Sequence, residues 1–212
     1  MPKSSLNICG SLLDISSPVA MGIINLTADS FYDGGKIKND KDLLDKAEKM
    51  LSEGAAILDV GAYSSRPGAV DIPVETETNN AIRGIIAILK EFPMAVVSID
   101  TFRSEVARQT IKNGASIIND ISAGSLDDRM FEAVADLKVP YIMMHMRGNP
   151  QTMSKLTGYD NLISEIIDYF NARIILLNAQ GVSDVVIDPG FGFAKTLDQN
   201  FELLNKLELL NF

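Results

Sequence analysis

The sequence predicts an α/β fold built on a parallel sheet, preceded by a small β-hairpin. Three observations carry this. Six short apolar runs, 19–24, 56–60, 95–99, 116–118, 140–144 and 184–187, lack strict polar–apolar alternation, as parallel strands buried on both faces do. The segments between them carry apolar residues at helical spacing. Glycines and prolines mark the joints: Pro73 suits a first helical position, and Gly54, Gly114 and Gly181 fall where helices should end.

The elements follow in order. The short pair 6–9 and 12–15 surrounds Gly10 and reads as a hairpin. Leu43, Ala47, Met50 and Leu51 share one helical face after the first strand. Ile82, Ile85, Ile86 and Leu89 do so after the second, and the longest stripe runs Ile163, Ile166, Ile167, Phe170, Ile174, Leu177. A last helix is expected over 199–210, giving six βα units. Strict alternation implies right-handed crossovers. It leaves two architectures, an open doubly wound sheet or a (β/α)8 barrel of the TIM type. A complete barrel takes about 250 residues and eight units, so as a barrel this sequence is two units short.

The 212 residues fit one domain, 1–212, with ordinary globular values of 46% hydrophobic and 22% charged residues. The net charge of −9 argues against nonspecific binding to nucleic acid or anionic membrane. Cys9 is the single cysteine, so no internal disulfide forms, and a reducing cytoplasm is the simplest setting. No apolar run approaches the ~20 residues of a membrane span, and the first residues do not read as a signal peptide.

Polar residues follow the C-terminal end of every strand. They are Asn25-Leu-Thr27-Ala-Asp29-Ser30-Phe31, then Gly61-Ala-Tyr-Ser64-Ser65-Arg66-Pro67-Gly68, Asp100-Thr101, Asn119-Asp120, His145-Met-Arg147-Gly148-Asn149, and Asp188-Pro-Gly-Phe-Gly192-Phe193. In a barrel these ends meet on one face, where sites are built. Each also has a plain reading. Asp188-Pro189-Gly190 is a good turn. Asp100 is a possible cap for a helix starting near Ser104. His145, the one histidine, suits a structural hydrogen bond, and Asp59 a structural carboxylate beneath the site. Taken together, Asp100, Asn119 and Asp188 on neighbouring strand ends suit a ligand with a guanidine-like ring edge, because a carboxylate presents two acceptors to two N–H donors. Arg66 beside Ser64, Ser65 and Gly68 suits an anion. There is no Cys/His cluster for zinc and no Walker loop.

These stretches resemble the dihydropteroate synthase family. MGIINLTADSFYDGG and GAAILDVGAYSSRPGA look like its two long signatures, and SIDT, IIND, MHMRGNP and DPGFGF are similar to its later motifs, in order. The resemblance implies a barrel, and a transferase of folate biosynthesis. The implied reaction displaces pyrophosphate from a hydroxymethyl-dihydropterin diphosphate by the amine of p-aminobenzoate. It implies that Asp100, Asn119 and Asp188 hold the pterin and that Met143 walls the slot. Asn25 would approach the Mg2+ on the diphosphate, and Ser65 and Arg66 would hold anionic ligands. Phe31, Pro67 and Phe193 would frame the p-aminobenzoate pocket, where sulfonamides compete. The catalytic residues among these would be Asn25 and Arg66. The family also implies a homodimer.

Three small departures stand out: Ala28 where Pro is usual, Tyr63 for Glu, and Ser65 for Thr. The family's seventh strand with Ser-Arg-Lys and eighth with Arg-x-His do not occur in these 212 residues. The resemblance places the anion clamp there, so these residues alone are expected to turn over poorly. The competing functions are a non-catalytic pterin-binding module and a methyltetrahydrofolate–corrinoid methyltransferase-like domain.

Overall fold

The structure is a computed structural model and describes residues 4–26, 39–64 and 71–211. The expected hairpin is present as β1 (Ser5–Ile8) and β2 (Ser11–Asp14), paired antiparallel. Its turn places both Cys9 (φ 49°) and Gly10 (φ 96°) in the left-handed region. This is the backbone a two-residue hairpin needs to match the strand twist.

Strands and helices then alternate. They are β3 (Ala20–Asn25), α1 (Asp40–Ser52), β4 (Ala55–Gly61), α2 (Val74–Glu91), β5 (Val96–Asp100) and α3 (Ser104–Lys112). There follow β6 (Ile117–Asp120), α4 (Met130–Leu137), β7 (Tyr141–Met144), α5 (Leu162–Ala179), β8 (Val185–Asp188) and α6 (Leu197–Asn205). The three anticipated helix-ending glycines, Gly54, Gly114 and Gly181, all have positive φ. Pro73 is the N-cap of α2 rather than its first helical residue.

The six strands pair in chain order, β3-β4-β5-β6-β7-β8, and every pair is parallel. A doubly wound sheet reverses its order at a switch point. This sheet never reverses, so the open alternative falls and the topology is that of a barrel wall. Consecutive helices pack on one another from α1 to α6, forming one outer layer. Among the described residues, β3 and β8 are the edge strands.

Two faces follow from the alternation. Leu58, Val60, Val97, Ile99, Ile118 and Tyr141 cluster with helix residues such as Leu43, Ile85, Val106, Met130 and Phe170. The opposite face forms the lumen. Its N-terminal end is filled by Ile57, Ile117 and Ile142 packed with Ile8 and Leu13 of the hairpin. The hairpin is therefore a plug, tied by the Asn7 N–H donating to Asp184 Oδ2 at 3.0 Å. With one end closed, the C-terminal end is left for a site.

The last helix differs from expectation. The segment 199–210 is α6 followed by a separate 3-10 turn, Leu207–Leu210. The helix starts early because Thr196 and Gln199 form a capping box: each side chain accepts the other's backbone N–H. It stops because Lys206 leaves helical geometry at φ −115°, ψ 18°.

Candidate active site

The C-terminal strand ends are held together by a ladder that continues past them. Leu26 N–H donates to Gly61 O (2.8 Å), Thr101 N–H to Asn119 O (2.9 Å) and His145 N–H to Asp188 O (2.9 Å). Register sets Asn25 beside Gly61, Gly61 beside Asp100, and Asp100 beside Asn119. Met144 lies beside Asp188. Alternation turns Asn25, Asp100, Asn119 and Asp188 toward the lumen, so four of the anticipated residues meet on one face.

Gly61 is the pivot of this arrangement. A Cβ there would stand 3.2 Å from Asp100 Oδ2 and 3.5 Å from Asn25 Oδ1. Two polar side chains thus converge over a residue that has none. Its importance was not visible in the sequence, where Gly61 reads as the start of a loop.

Below them lies Asp59. Its Oδ2 accepts from Asn119 Nδ2 at 2.9 Å, which fixes the amide and leaves Asn119 Oδ1 as an acceptor with no bond among the described residues. Asp59 Oδ1 and Ser98 Oγ, from neighbouring strands, are buried and without a hydrogen-bond partner among the described residues. Burial raises the Asp59 carboxyl; the adjacent Ser98 hydroxyl, close by but outside hydrogen-bond geometry, and the bond from Asn119 oppose this. Asp100 is raised well above the ordinary carboxylate range by burial, then by the charges of Asp59, Glu77 and Asp120. A buried, acid-rich floor of this kind favours a ligand that brings hydrogen-bond donors to it.

Asp100 does not cap α3: the Ser104 N–H donates instead to Asp127 Oδ2 at 2.7 Å. Its carboxyl is therefore left to the lumen. The Asn119-Asp120 pair splits. Asp120 turns outward, buried, and accepts from Ser122 N–H and Oγ–H, Gly124 N–H and Tyr141 OH. Asp188 takes the turn reading while facing the lumen. Oδ1 accepts the Gly190 N–H at 2.8 Å within the turn, and the rest of the carboxyl remains available. Burial raises it, while the Gly190 N–H and Lys195 oppose.

Met143 is a correction. It is fully buried in the main cluster with the helices, on the face away from Asp188. The residue on the site face is Met144, which clusters with Met146, Met153 and Ile121 against Phe102 and Phe193. In a strand with two consecutive methionines, a one-residue slip exchanges the faces. Phe193, expected on the p-aminobenzoate side, packs against this same apolar cluster.

His145 takes the structural reading. It is buried, its Nδ1 lies 3.0 Å from Lys195 Nζ, and burial with the Lys195 charge holds its pKa down to about 3. Arg147 is engaged elsewhere, with Glu165, the Gly158 carbonyl and the Tyr159 ring. Tyr63, where the resembled family has Glu, packs edge-on to Phe102 (5.0 Å) beneath Arg103. Arg103 in turn donates to buried Glu77 (2.9 Å), Asp71 (2.7 Å) and Ile72 O (2.8 Å). Phe31, Ser65, Arg66 and Pro67 lie outside the described residues.

The chain matches the model of the family described as "pterin binding enzyme" over residues 21–211. It is 46% identical over 193 residues to the folic acid synthesis protein fol1 of Pneumocystis carinii, covering 90% of this chain and 26% of that protein. It is 43% identical over 189 residues to the dihydropteroate synthase of Synechocystis, covering 88% of this chain and 65% of the relative. The chain thus spans less than two thirds of each of these relatives. Among solved structures, the Yersinia pestis dihydropteroate synthase in complex with a sulfonamide drug superposes with a TM-score of 0.92 at 36% identity. That match covers 97% of this chain and 75% of that one. The in-order strand ends, the polar floor and the family match over nearly the whole sequence agree: the chain belongs to the pterin binding enzyme family.

Proposed function

We propose that the protein is a dihydropteroate synthase. It joins hydroxymethyl-dihydropterin diphosphate to p-aminobenzoate and releases pyrophosphate. The observation that carries this is the lumenal set Asp100, Asn119 and Asp188 on the ends of β5, β6 and β8, with the Asn119 amide fixed by Asp59. The relatives' names and the sulfonamide held by the Yersinia pestis enzyme support the same reading.

In this account Asp188 and Asp100 accept ring N–H groups and Asn119 Oδ1 accepts one more, while Met144 and Phe193 supply an apolar wall. Buried acceptors built for such an edge reject rings that lack the donors. The ring's electrons stabilise the methylene as its C–O bond to the diphosphate breaks. The amine of p-aminobenzoate then forms the C–N bond and loses a proton. No protein nucleophile is required. Ser65 and Arg66 would hold the anionic groups, and Phe31 and Pro67 would frame the p-aminobenzoate side, as the family resemblance implies.

A Mg2+ ion fits the donor chemistry. Asn25 offers one neutral amide oxygen at the lumen beside Asp100, which suits an ion that takes most ligands from phosphate and water. When bound, it neutralises charge on the departing pyrophosphate. We read the working protein as a cytoplasmic homodimer, on the single exposed Cys9 and the family resemblance.

The test is pyrophosphate release with both substrates and Mg2+, alongside calorimetric binding of the pterin. Release that requires p-aminobenzoate supports the synthase. Slow release is what these 212 residues alone are expected to show; pterin binding with no release at all would mark a non-catalytic binder, and no pterin binding would overturn the reading altogether.

A further inference from the structure

Lys195 lies in the loop after β8 and has no part in the reaction described above. It is nonetheless buried, at 8% exposure. Its Nζ donates to Gly190 O at 3.0 Å and to Phe193 O at 3.0 Å, and lies 3.0 Å from His145 Nδ1. An ammonium has three donors and no acceptor, so His145 Nδ1 accepts and the ring proton sits on Nε2. All three ammonium protons are used within the protein, and Lys195 must act through what it holds.

What it holds is a seam between two strand ends. His145 follows β7, whereas Gly190 and Phe193 follow β8. The backbones already touch there: a Cβ on Gly190 would stand 2.2 Å from His145 O, and Gly190 has φ +69°. The Gly190 N–H donates to Asp188 Oδ1, and Phe193 joins the apolar wall with Met144. Each carbonyl that Lys195 grips thus belongs to a residue that orients or forms the slot.

We propose that Lys195 is a positioning residue, whose ammonium clamps the loop after β8 to His145 and so holds Asp188 and Phe193 in the geometry that receives the pterin. This rests on the pterin-slot reading of the site.

The clamp works against the fold's own preference. Burial lowers the Lys195 pKa to about 8, below its ordinary 10.5, with Asp188 opposing and Arg147 reinforcing. Between those values the folded protein binds fewer protons than the unfolded chain, so folding stability rises with pH there. Ligand binding, which needs the charged clamp, should fall over the same range. The other groups facing this cluster hold their state. His145 is already neutral, with the Arg147 and Arg173 guanidiniums facing it. Tyr159 is raised above its ordinary 10.0, and Tyr169 lies at about 12.

The experiment is calorimetric titration of 6-hydroxymethyl-7,8-dihydropterin into the wild-type protein and Lys195→Met at pH 7 and pH 9, with Tm measured at each pH. At pH 7, Lys195→Met should bind roughly 10-fold more weakly or worse while still folded, the loss expected for charge-assisted bonds. From pH 7 to 9 the wild type should lose affinity while its Tm rises relative to the variant. The variant's own profile subtracts any titration of the ligand. His145→Asn, which retains an acceptor, should bind within about 3-fold of wild type, and His145→Leu should not. If Lys195→Met fails to fold, the wild-type pH pair and the two His145 variants decide. Equal binding by Lys195→Met at pH 7, or wild-type affinity that follows Tm upward, overturns the inference and leaves the slot intact. No wild-type binding at pH 7 overturns the functional reading, and this inference with it.

Discussion

At the scale of single residues, two glycines separate function from stability. Gly61 borders Asp100 and Asn25 closely enough that Gly61→Ala would press a methyl against both side chains. Its backbone needs no left-handed conformation. The substitution should leave folding within about 1 kcal/mol of wild type by denaturant titration, yet weaken pterin binding roughly 10-fold by displacing Asp100. Gly190→Ala is the opposite case. Its methyl would meet a backbone oxygen at 2.2 Å on a residue with φ +69°. A loss of about 2 kcal/mol or more in unfolding free energy is expected, and a neutral result would mean the seam with His145 is looser than described.

The polar strand ends Asn25, Asp100, Asn119 and Asp188 were legible in the sequence because each follows an apolar run directly. Met143 and Met144 were not separable, because a run of apolar residues carries no mark of which parity faces the helices. Lys195 and Gly61 were missed for another reason. Their roles depend on approaches between strand ends that no single segment contains.

At the scale of elements, charge burial between α2 and the end of β5 gives the sharpest test. Glu77 is fully buried on α2 and accepts from Thr101 Oγ1 at 2.6 Å and from Arg103 at 2.9 Å. Burial raises its pKa, with Thr101 and Arg103 opposing. A raised carboxyl costs nothing while both states are protonated, and its cost grows as pH climbs past the unfolded value into the range where the folded state must ionise. Arg103→Met removes the offset. Stability should fall by about 3–5 kcal/mol at pH 7, and by progressively less as the pH is lowered and protons return to Glu77. A deficit independent of pH would show that Arg103 acts through packing on Tyr63 and Phe102 alone.

The capping box of α6 is a milder case. Thr196→Ala should cost about 0.5–2 kcal/mol in thermal or denaturant unfolding. That box, with Thr196 followed three residues later by Gln199, was present in the sequence and explains why the helix starts before residue 199. The break at Lys206 has no local breaker to announce it.

At the scale of the whole molecule, the decisive feature is strand order. Six parallel strands in chain order, with helices in one layer, turn one face of every strand toward a common lumen. The hairpin closes the N-terminal end of that lumen with Ile8 and Leu13. Polar residues concentrate at the other end, over a floor holding Asp59 and Ser98. Alternation of runs and stripes made the α/β class and the number of units readable. It could not by itself choose between barrel and open sheet, because both satisfy the same local patterns and differ only in which strands become neighbours.

On the proposed function, this lumen reads the N–H edge of a pterin through Asp188 and its neighbours. The most direct test is calorimetry of two rings, 6-hydroxymethyl-7,8-dihydropterin and its analogue with the 2-amino group replaced by a carbonyl, against wild type and Asp188→Asn. The wild type is expected to prefer the amino ring by roughly 100-fold or more, since a missing donor leaves a buried acceptor unpaired, and Asp188→Asn to collapse most of that preference. Equal affinity of the wild type for the two rings would contradict it.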